Sequence, residues 1–550
     1  MPDENTKKWR LRGEKKTGES IFEAFCRLRN IEKNFLVPKK ISDLIDVKKI
    51  PGIEKAGEKI FQAIAKKEKF LIFGDFDLDG ISGVTILYFV FKLLKADFEI
   101  FLPSRNDGYG LSKQIFKLCQ QKKIQNLITV DCGISNFSEI EFGNSKKIKT
   151  IITDHHTLQK KFPAAEEICH PQISENQEII DLTGAGVAFF LGKFLLEKKF
   201  KHKNLEKILK QISVFAALGT IADVGNLRYQ NRILAQIGIE EMKKNHHPGI
   251  SQILQLAKIS TENITADSVA FFLAPRFNAA GRLSHPNLAL RILLGEKNFA
   301  ANLEKLNLER QNICENCYQI AEKKIIPSDN FICIFSEKFF SGISGLVAAK
   351  ICEKFAVPAI VLSTTKNENF LTASCRGPSD FHFRKALAEN AEILEKFGGH
   401  SAAAGFLIDK KNLEIFQKKF SRIVEKFRGK NPPPPEILAD FPIKISEIFA
   451  SDFEKIFSAA PFGAGNTQPI FEIKKAKLKN TKIIGKKSNH LIGEIWQEDC
   501  KISFVGFYLA EKFPGDFDQE VDFLISPEKN IFNGNSEIRA KIVDYKIRSC

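Results

Sequence analysis

Five short segments carry residue types suited to metal chemistry. They are DFDLDG (75–80), VDCG (130–133), TDHH (153–156), Asp223 in TIADVG, and GGH (398–400). A carboxylate is costly to bury unless something pairs it, so several converging on one place need cations. Hard carboxylate oxygens with one or two imidazoles suit Mn²⁺ or Mg²⁺. Two such ions roughly 3.5–4 Å apart clamp the attacking and leaving oxygens of a phosphoryl displacement. The residue types therefore point to a two-metal phosphodiesterase. Thiolates would indicate zinc or iron–sulfur instead, but Cys132 is alone in its motif and reads as packing. DFDLDG by itself also resembles the start of an EF-hand loop, yet the twelfth position from Asp75 is Ile86 rather than Glu.

The elements around these segments explain how they can meet. FLIFG (70–74), NLITV (126–130) and KTIIT (149–153) are apolar runs that end at the first three motifs. Strands alternating with helical patterns predict parallel βαβ units, whose C-terminal strand ends face one ligand-binding crevice. TGAGVAFFLGKFLLEKK (183–199) predicts a buried helix, and ILKQISVFAALGTIADV (208–224) another that delivers Asp223 near its end. Leu290, Leu293, Leu294, Leu303, Leu306, Ile313, Cys317 and Ile320 recur near helical spacing, which predicts a connecting helix between lobes. FICIFS (331–336) and PAIVLS (358–363) are strands of a second α/β unit that carries His400. Pro432–Pro435 predict a stiff extended linker. The last 110 residues or so are β-rich with glycine-containing turns, as in an OB-like barrel.

Further motifs sharpen the reading: GDFDLDGISG (74–83), PSRNDGYGLS (103–112), TGAGVAF (183–189), ALGTIADV (217–224), PRFNAAGRL (275–283), SGISGLVAAKI (341–351), SCR (374–376) and FGGHSAAAGF (397–406). With these the chain resembles, from about residue 20 to its end, the RecJ family of the DHH phosphoesterase superfamily, single-strand-specific 5′→3′ DNA exonucleases. The resemblance implies that Asp77 and Asp131 hold one metal, and that Asp79, Asp131, His155 and Asp223 hold the other. It implies Asp154 as the residue orienting the imidazoles and His156 as a group facing the scissile phosphate. Arg282 and His400 would stabilise charge there, and Arg105, Ser374 and Arg376 would receive a 5′ phosphate. Related pyrophosphatases carry a His four residues before the position of Asp77; here it is Phe73, so fewer protein ligands are expected at the first metal. The role of Asp75 is left open.

The implied organisation is a polar lead and helices (1–66), a parallel-sheet DHH domain (67–225), a helical region and connecting helix (226–327), a DHH-associated α/β domain (328–430) and an OB-like domain (436–550). Residues 1–20 read as a flexible polar lead without an apolar signal region. With eleven thinly spread cysteines, reduced thiols and a cytoplasmic location are expected. The lone Cys314/Cys317 pair reads as helix packing, and His246-His247 before Pro248 as a surface loop.

Net charge is +16 (82 − 66), which suits a polyanion without specifying one. The placement of the charge says more. Lys474, Lys475, Lys477, Lys479, Lys482, Lys486 and Lys487 cluster, with Trp496, Phe504, Phe507 and Tyr508 nearby. Lysines interleaved with aromatics suit a single-strand groove; a solvated hairpin with core aromatics is the other reading. The expected activity is 5′→3′ digestion of single-stranded DNA to 5′ mononucleotides in recombination and repair. The expected enzyme is a monomer working with a single-strand-binding protein and a helicase. Two rivals are a DHH phosphodiesterase on short oligonucleotides and a non-catalytic DNA-binding scaffold. The first would lack the β-rich tail, and the second would have lost metal ligands.

Overall fold

The computed structural model describes residues 7–548 except 109, 245, 327–329, 430, 431, 433, 486, 487, 514, 533 and 534. Five parallel strands form the first sheet, in the order Phe98–Phe101, Phe70–Gly74, Asn126–Val130, Lys149–Thr153, Glu167–Cys169. Phe70–Gly74 and Asn126–Val130 are buried throughout, as parallel strands covered on both faces should be. One face packs against helices Leu78–Leu94 and Gly184–Lys199, the other against Lys113–Gln121 and Phe137–Ser145. Chain order reverses between Phe70–Gly74 and Asn126–Val130. In such open sheets the ligand crevice lies at that reversal, outside the carboxyl ends of the strands.

Helices from His202 to Leu293 extend the core of the first lobe. The predicted connecting helix is interrupted: Asn287–Leu293 ends at Gly295, whose φ is +99°, and Ala300–Glu322 then crosses to the second lobe. That lobe holds a mixed sheet ordered Lys396–Gly399, Ala403–Asp409, Phe370–Arg376, Ala359–Thr364, Ile332–Phe335. Only the last two strands of that order run parallel to each other.

The C-terminal part is a closed barrel of Phe471–Ile484, His490–Gln497, Cys500–Gly506, Asn535–Ile547 and Phe517–Phe532. Its core includes Ile21, Ala24 and Phe25 from the N-terminal helix Ile21–Leu28. The buried guanidinium of Arg232 fastens this assembly to the helical region. It sits 3.7 Å from the ring centre of Phe35 and donates to the Ala460 carbonyl at 2.8 Å.

Three expectations are corrected here. The lead is not wholly flexible, because Lys8–Leu11 pairs in parallel with Glu436–Ala439, and Trp9 Nε1 donates to Asp544 at 2.7 Å. Phe504 is a barrel core residue, 3% exposed, because it alternates inward on its strand. His247 is more than a loop residue: it caps the helix Pro248–Leu256 through Nδ1, and its Nε2 lies 2.9 Å from the Leu293 carbonyl. No helix among the described residues is long and apolar enough to cross a membrane.

Candidate metal centre and phosphate cleft

The loop after strand Phe70–Gly74 delivers Asp75, Asp77 and Asp79 in one turn. Asp77 caps the helix Leu78–Leu94, its Oδ1 accepting from the amides of Asp79 (3.0 Å) and Gly80 (3.1 Å). Asp79 is buried and aimed the other way, at the N-terminus of helix Gly184–Lys199. There it accepts from the amides of Gly184 (2.7 Å) and Ala185 (3.0 Å), the helix end that favours anions. A Cβ at Gly184 would lie 2.5 Å from the Asp131 Cβ, and one at Gly219 2.5 Å from Asp79 Oδ1. Both positions therefore require glycine for the carboxylates to fit.

Asp131 follows strand Asn126–Val130 with φ +63°. A non-glycine residue in this region is uncommon and concentrates at functional sites. Its amide donates to the Thr153 carbonyl at 2.9 Å, which holds the turn against the next strand. His155 Nε2 then lies 3.1 Å from Asp131 Oδ1, 3.6 Å from Asp223 Oδ2 and 3.8 Å from Asp79 Oδ2. Asp223 is the C-cap of helix His202–Ala222. Asp154 is buried behind the pair of histidines. It accepts from the amides of His155 (2.7 Å) and Ile134 (3.0 Å), and its Oδ1 lies 2.8 Å from His156 Nδ1.

Three overlapping groups bring their ligand atoms within 4.8 Å of one another: Asp75, Asp77 and Asp131; Asp79, His155 and Asp223; and Asp131, His155 and His156. Sequence reasoning left Asp75 without a place, and here it joins Asp77 and Asp131. Phe73 points into the core, stacked 5.8 Å from Phe101, and supplies nothing to the crevice.

Charge in this crevice is under strain. Burial, then the neighbouring carboxylates, push Asp131 and Asp75 well above the carboxylate range. The same two causes push Asp79 up to about 7. Asp223, one-third open at the mouth, is raised to about 8 by partial burial and by Asp79 and Asp77. Burial drives His155 down to about 3, so its imidazole is neutral and able to ligate. Burial opposes charge on His156, but the hydrogen bond and charge of Asp154 prevail and raise it to about 9. Burial would raise Asp154 too, yet its bond to His156 and the charges of both histidines hold it below the usual range. Asp75 Oδ1 is buried with no hydrogen-bond partner among the described atoms. Four carboxylates forced toward neutrality, one with an orphan oxygen, and a neutral imidazole are a donor set that fits two hard divalent cations.

Cations stand near these carboxylates. Arg282, from helix Ala274–Leu283, donates to the Gly342 carbonyl at 3.0 Å. Arg105 lies 4.7 Å over the Phe76 ring. Arg376 ends the strand Phe370–Arg376, and both its Nη2 and Ser374 Oγ flank Gly345. Burial lowers all three guanidinium pKa values, that of Arg282 to about 9, where Arg105, Arg310 and Arg376 add to the effect. Arg105, Arg282 and Arg376 make no ion pair among the described residues. His400 reaches over from the second lobe, its ring stacked 5.9 Å from His156 and its Nδ1 3.3 Å from Thr157 Oγ1. Sequence reasoning missed Thr157, and also Asn278, whose Oδ1 accepts from the Leu78 amide at 2.8 Å and steadies the DFDLDG turn. Asn278 lies inside the PRFNAAGRL motif.

On the barrel, Lys474, Lys475, Lys477 and Lys479 line a groove of about 680 Å³ with Trp496 and Gln497. Lys479 Nζ lies 4.9 Å over the Trp496 ring. Lys474 pairs with Glu472 at 3.4 Å. Lys482 is exposed, and Phe507 and Tyr508 are exposed beside His490. Lys486 and Lys487 lie outside the described residues.

Comparison with known proteins adds the family. Residues 69–220 match the model of the DHH family N-terminal domain, 328–426 the DHHA1 domain and 439–544 the RecJ OB domain. The chain is 28% identical over 483 residues to the single-stranded-DNA-specific exonuclease RecJ of Bacillus subtilis, covering 86% of this chain and 60% of that protein. It is 27% identical over 565 residues to the Haemophilus influenzae protein of the same name, covering 97% of each. The crystal structure of Thermus thermophilus RecJ in complex with Mn²⁺ superposes with a TM-score of 0.84 at 23% identity, over 99% of this chain and 80% of that one. Three domain models matched in this order, on a fold shared with that structure, place the chain in the RecJ family of DHH phosphoesterases.

Proposed function

We propose that this protein is a metal-dependent exonuclease that degrades single-stranded DNA from its 5′ end and releases 5′ mononucleotides. The observation that carries this is the juxtaposition of a carboxylate group (Asp75, Asp77, Asp131) and a carboxylate–imidazole group (Asp79, His155, Asp223), adjoining at Asp131 and His155, with nearby arginines that make no ion pair among the described residues. In this reading Asp75, Asp77 and Asp131 hold one divalent ion, and Asp79, Asp131, His155 and Asp223 hold the other. Mn²⁺ or Mg²⁺ bound there supplies a water of lowered pKa and neutralises charge at the phosphate.

The chain's own residues do the rest. Asp154 fixes His156 through Nδ1, which leaves Nε2–H of a protonated ring to donate to a phosphate oxygen. Arg282 and His400 oppose the charge that develops there. Arg105 and Arg376 with Ser374 receive a terminal 5′ phosphate, because a guanidinium fork matches a phosphate dianion. Lys474, Lys475, Lys477 and Lys479 collect the phosphates of the incoming strand, and Trp496 offers a face for a base.

The residues from 67 to 225 would then perform the chemistry, 328–430 would close the cleft, and 436–550 would capture the strand. A helicase and a single-strand-binding protein would suit such a substrate as partners. The work would belong to recombination and repair in the cytoplasm.

End-labelled single-stranded, duplex and RNA oligomers incubated with Mn²⁺ or Mg²⁺ test the reading. Loss of single-stranded DNA from the 5′ end, as mononucleotides, is expected. Endonucleolytic products, or preference for duplex, would overturn it.

A further inference from the structure

Two phenylalanines stand in solvent directly ahead of the helix that carries Arg282. Phe271 is 68% exposed and Phe272 46%. They lie in a π-helical stretch, Ser268–Leu273, which runs without a break into helix Ala274–Leu283. Single π-helical turns inside α-helices are frequent at functional sites.

The position of this stretch gives the rings a context. At about 100° per residue, less through the wider π turn, Phe271 falls on the same face as Asn278 and Arg282, within about a quarter turn. Along this stretch Phe271 and Phe272 are exposed, and Pro275, Asn278 and Arg282 are half-buried among buried positions. Eleven residues at 1.5 Å each put Phe271 about 16 Å from Arg282. The other end of the stretch touches the lead of the barrel, where Gln468 Nε2 donates to Asp267 at 2.9 Å. Lys541 of the barrel is close enough to act on the same carboxylate. The backbone is fixed as well: Arg276 donates to the Phe272 carbonyl at 2.8 Å and is clamped by Glu304 at 2.5 Å. The rings are therefore held on a rigid element that links barrel to cleft.

We propose that Phe271 and Phe272 form a base-stacking step for single-stranded nucleic acid on its way from the lysine groove to the metal crevice. This rests on the nuclease reading above. Continuity with both surfaces selects the occupant. The stretch is tied to Gln468, just ahead of the strand that carries the lysines, and its helix carries Arg282 near its end, so the rings lie between the two surfaces along the chain, and an aromatic ring accepts any base because every base has a π-face. A protein partner at the same rings is the competing outcome.

The test uses the full chain, with EDTA present so that binding is read without turnover. The probe is a 5′-phosphorylated DNA oligomer carrying 2-aminopurine at one of the second to eighth nucleotides in turn. One or two adjacent positions should lose fluorescence on binding. Phe271→Ala with Phe272→Ala should restore that fluorescence and weaken binding about tenfold or more, while Phe271→Tyr keeps both. Unchanged quenching and affinity in the double alanine variant would overturn the stacking step and leave the rings to a protein partner. Failure of the wild type to degrade single strands would instead defeat the nuclease reading itself, so the two failures are distinguishable.

Discussion

In the proposed reading the metal crevice and the lysine groove would both meet phosphate, yet they are built in opposite ways. In the crevice Asp75, Asp79 and Asp131 are at most 5% exposed, and one of them sits on left-handed backbone. Backbone amides hold Asp79 and Asp154. On the barrel Lys474 and Lys475 stand in solvent, Lys477 and Lys479 are half-buried, and the groove is lined with Glu447, Glu498 and Glu520 as well as lysines. The difference follows from the dielectric. Charges taken out of water act strongly and must be placed to a fraction of an ångström, whereas solvated charges are screened and act as a sum. Single substitutions should therefore be decisive in the crevice and graded on the barrel.

The largest effect is expected at Asp131, the carboxylate that adjoins both ligand groups. Asp131→Ala should lower turnover by about three orders of magnitude or more while circular dichroism and solubility stay normal. Near-normal turnover at saturating Mn²⁺ would erase the contrast between crevice and groove. Next comes Arg376→Ala. Losing a charged hydrogen bond of about 1.5–3 kcal/mol should slow 5′-phosphorylated substrates about ten- to a hundredfold, with 5′-hydroxyl substrates little changed. Rates for the two ends, wild type against variant, give the answer; an unchanged ratio would remove Arg376 from end recognition.

The same contrast governs what could be read from the sequence. FLIFG and NLITV announce their strands because parallel strands buried on both faces are continuously apolar. Motifs at their ends then had to meet at the sheet reversal. The closed barrel likewise followed from β-rich patterning and glycine turns. Pairings between distant segments were invisible: nothing in KWRL (8–11) names Glu436–Ala439 as its partner, because half of that short strand is exposed and carries no periodic signal. Phe504 looked like a groove aromatic because a strand alternates faces and composition does not say which face points inward. Asp75 could not be placed, since DFDLDG fixes the spacing of three carboxylates but not which way each turns. Only the cap made by Asp77 and the helix end at Gly184 decide that.

On the barrel the expected effect is smaller and depends on salt. Converting Lys474, Lys475, Lys477 and Lys479 to Gln should weaken binding of long strands about tenfold at low salt. It should flatten the log–log salt slope by up to about 0.7 for each phosphate that no longer meets a lysine. Turnover of a very short oligomer, which engages only the crevice, should not change. Equal losses on long and short substrates would mean that these lysines support the fold rather than capture DNA.

The smallest effect is one of stability, and its sign is fixed by the crevice. Asp79 at about 7 and Asp223 at about 8, with Asp75 and Asp131 also raised, bind protons more tightly in the folded chain than in the unfolded one. His156, raised to about 9, does the same. A group with a raised folded pKa contributes stability that is present below its unfolded pKa and lost as pH climbs to the folded value. For the carboxylates that window runs from about 4 to 8, and for His156 from about 6.5 to 9. In EDTA the melting temperature should therefore fall as pH rises from 6 to 9, by a few degrees beyond the drift of Asp131→Asn, which removes one of the repelling charges. Mn²⁺ should raise the melting temperature most at the alkaline end, where the ligands are ionised and binding to the folded state alone is stabilising. The lysine variants should show the same pH curve as the wild type, since they leave the crevice untouched. A metal-free melting temperature that is flat or rises across this range would mean that the carboxylates are already neutralised by something other than cations.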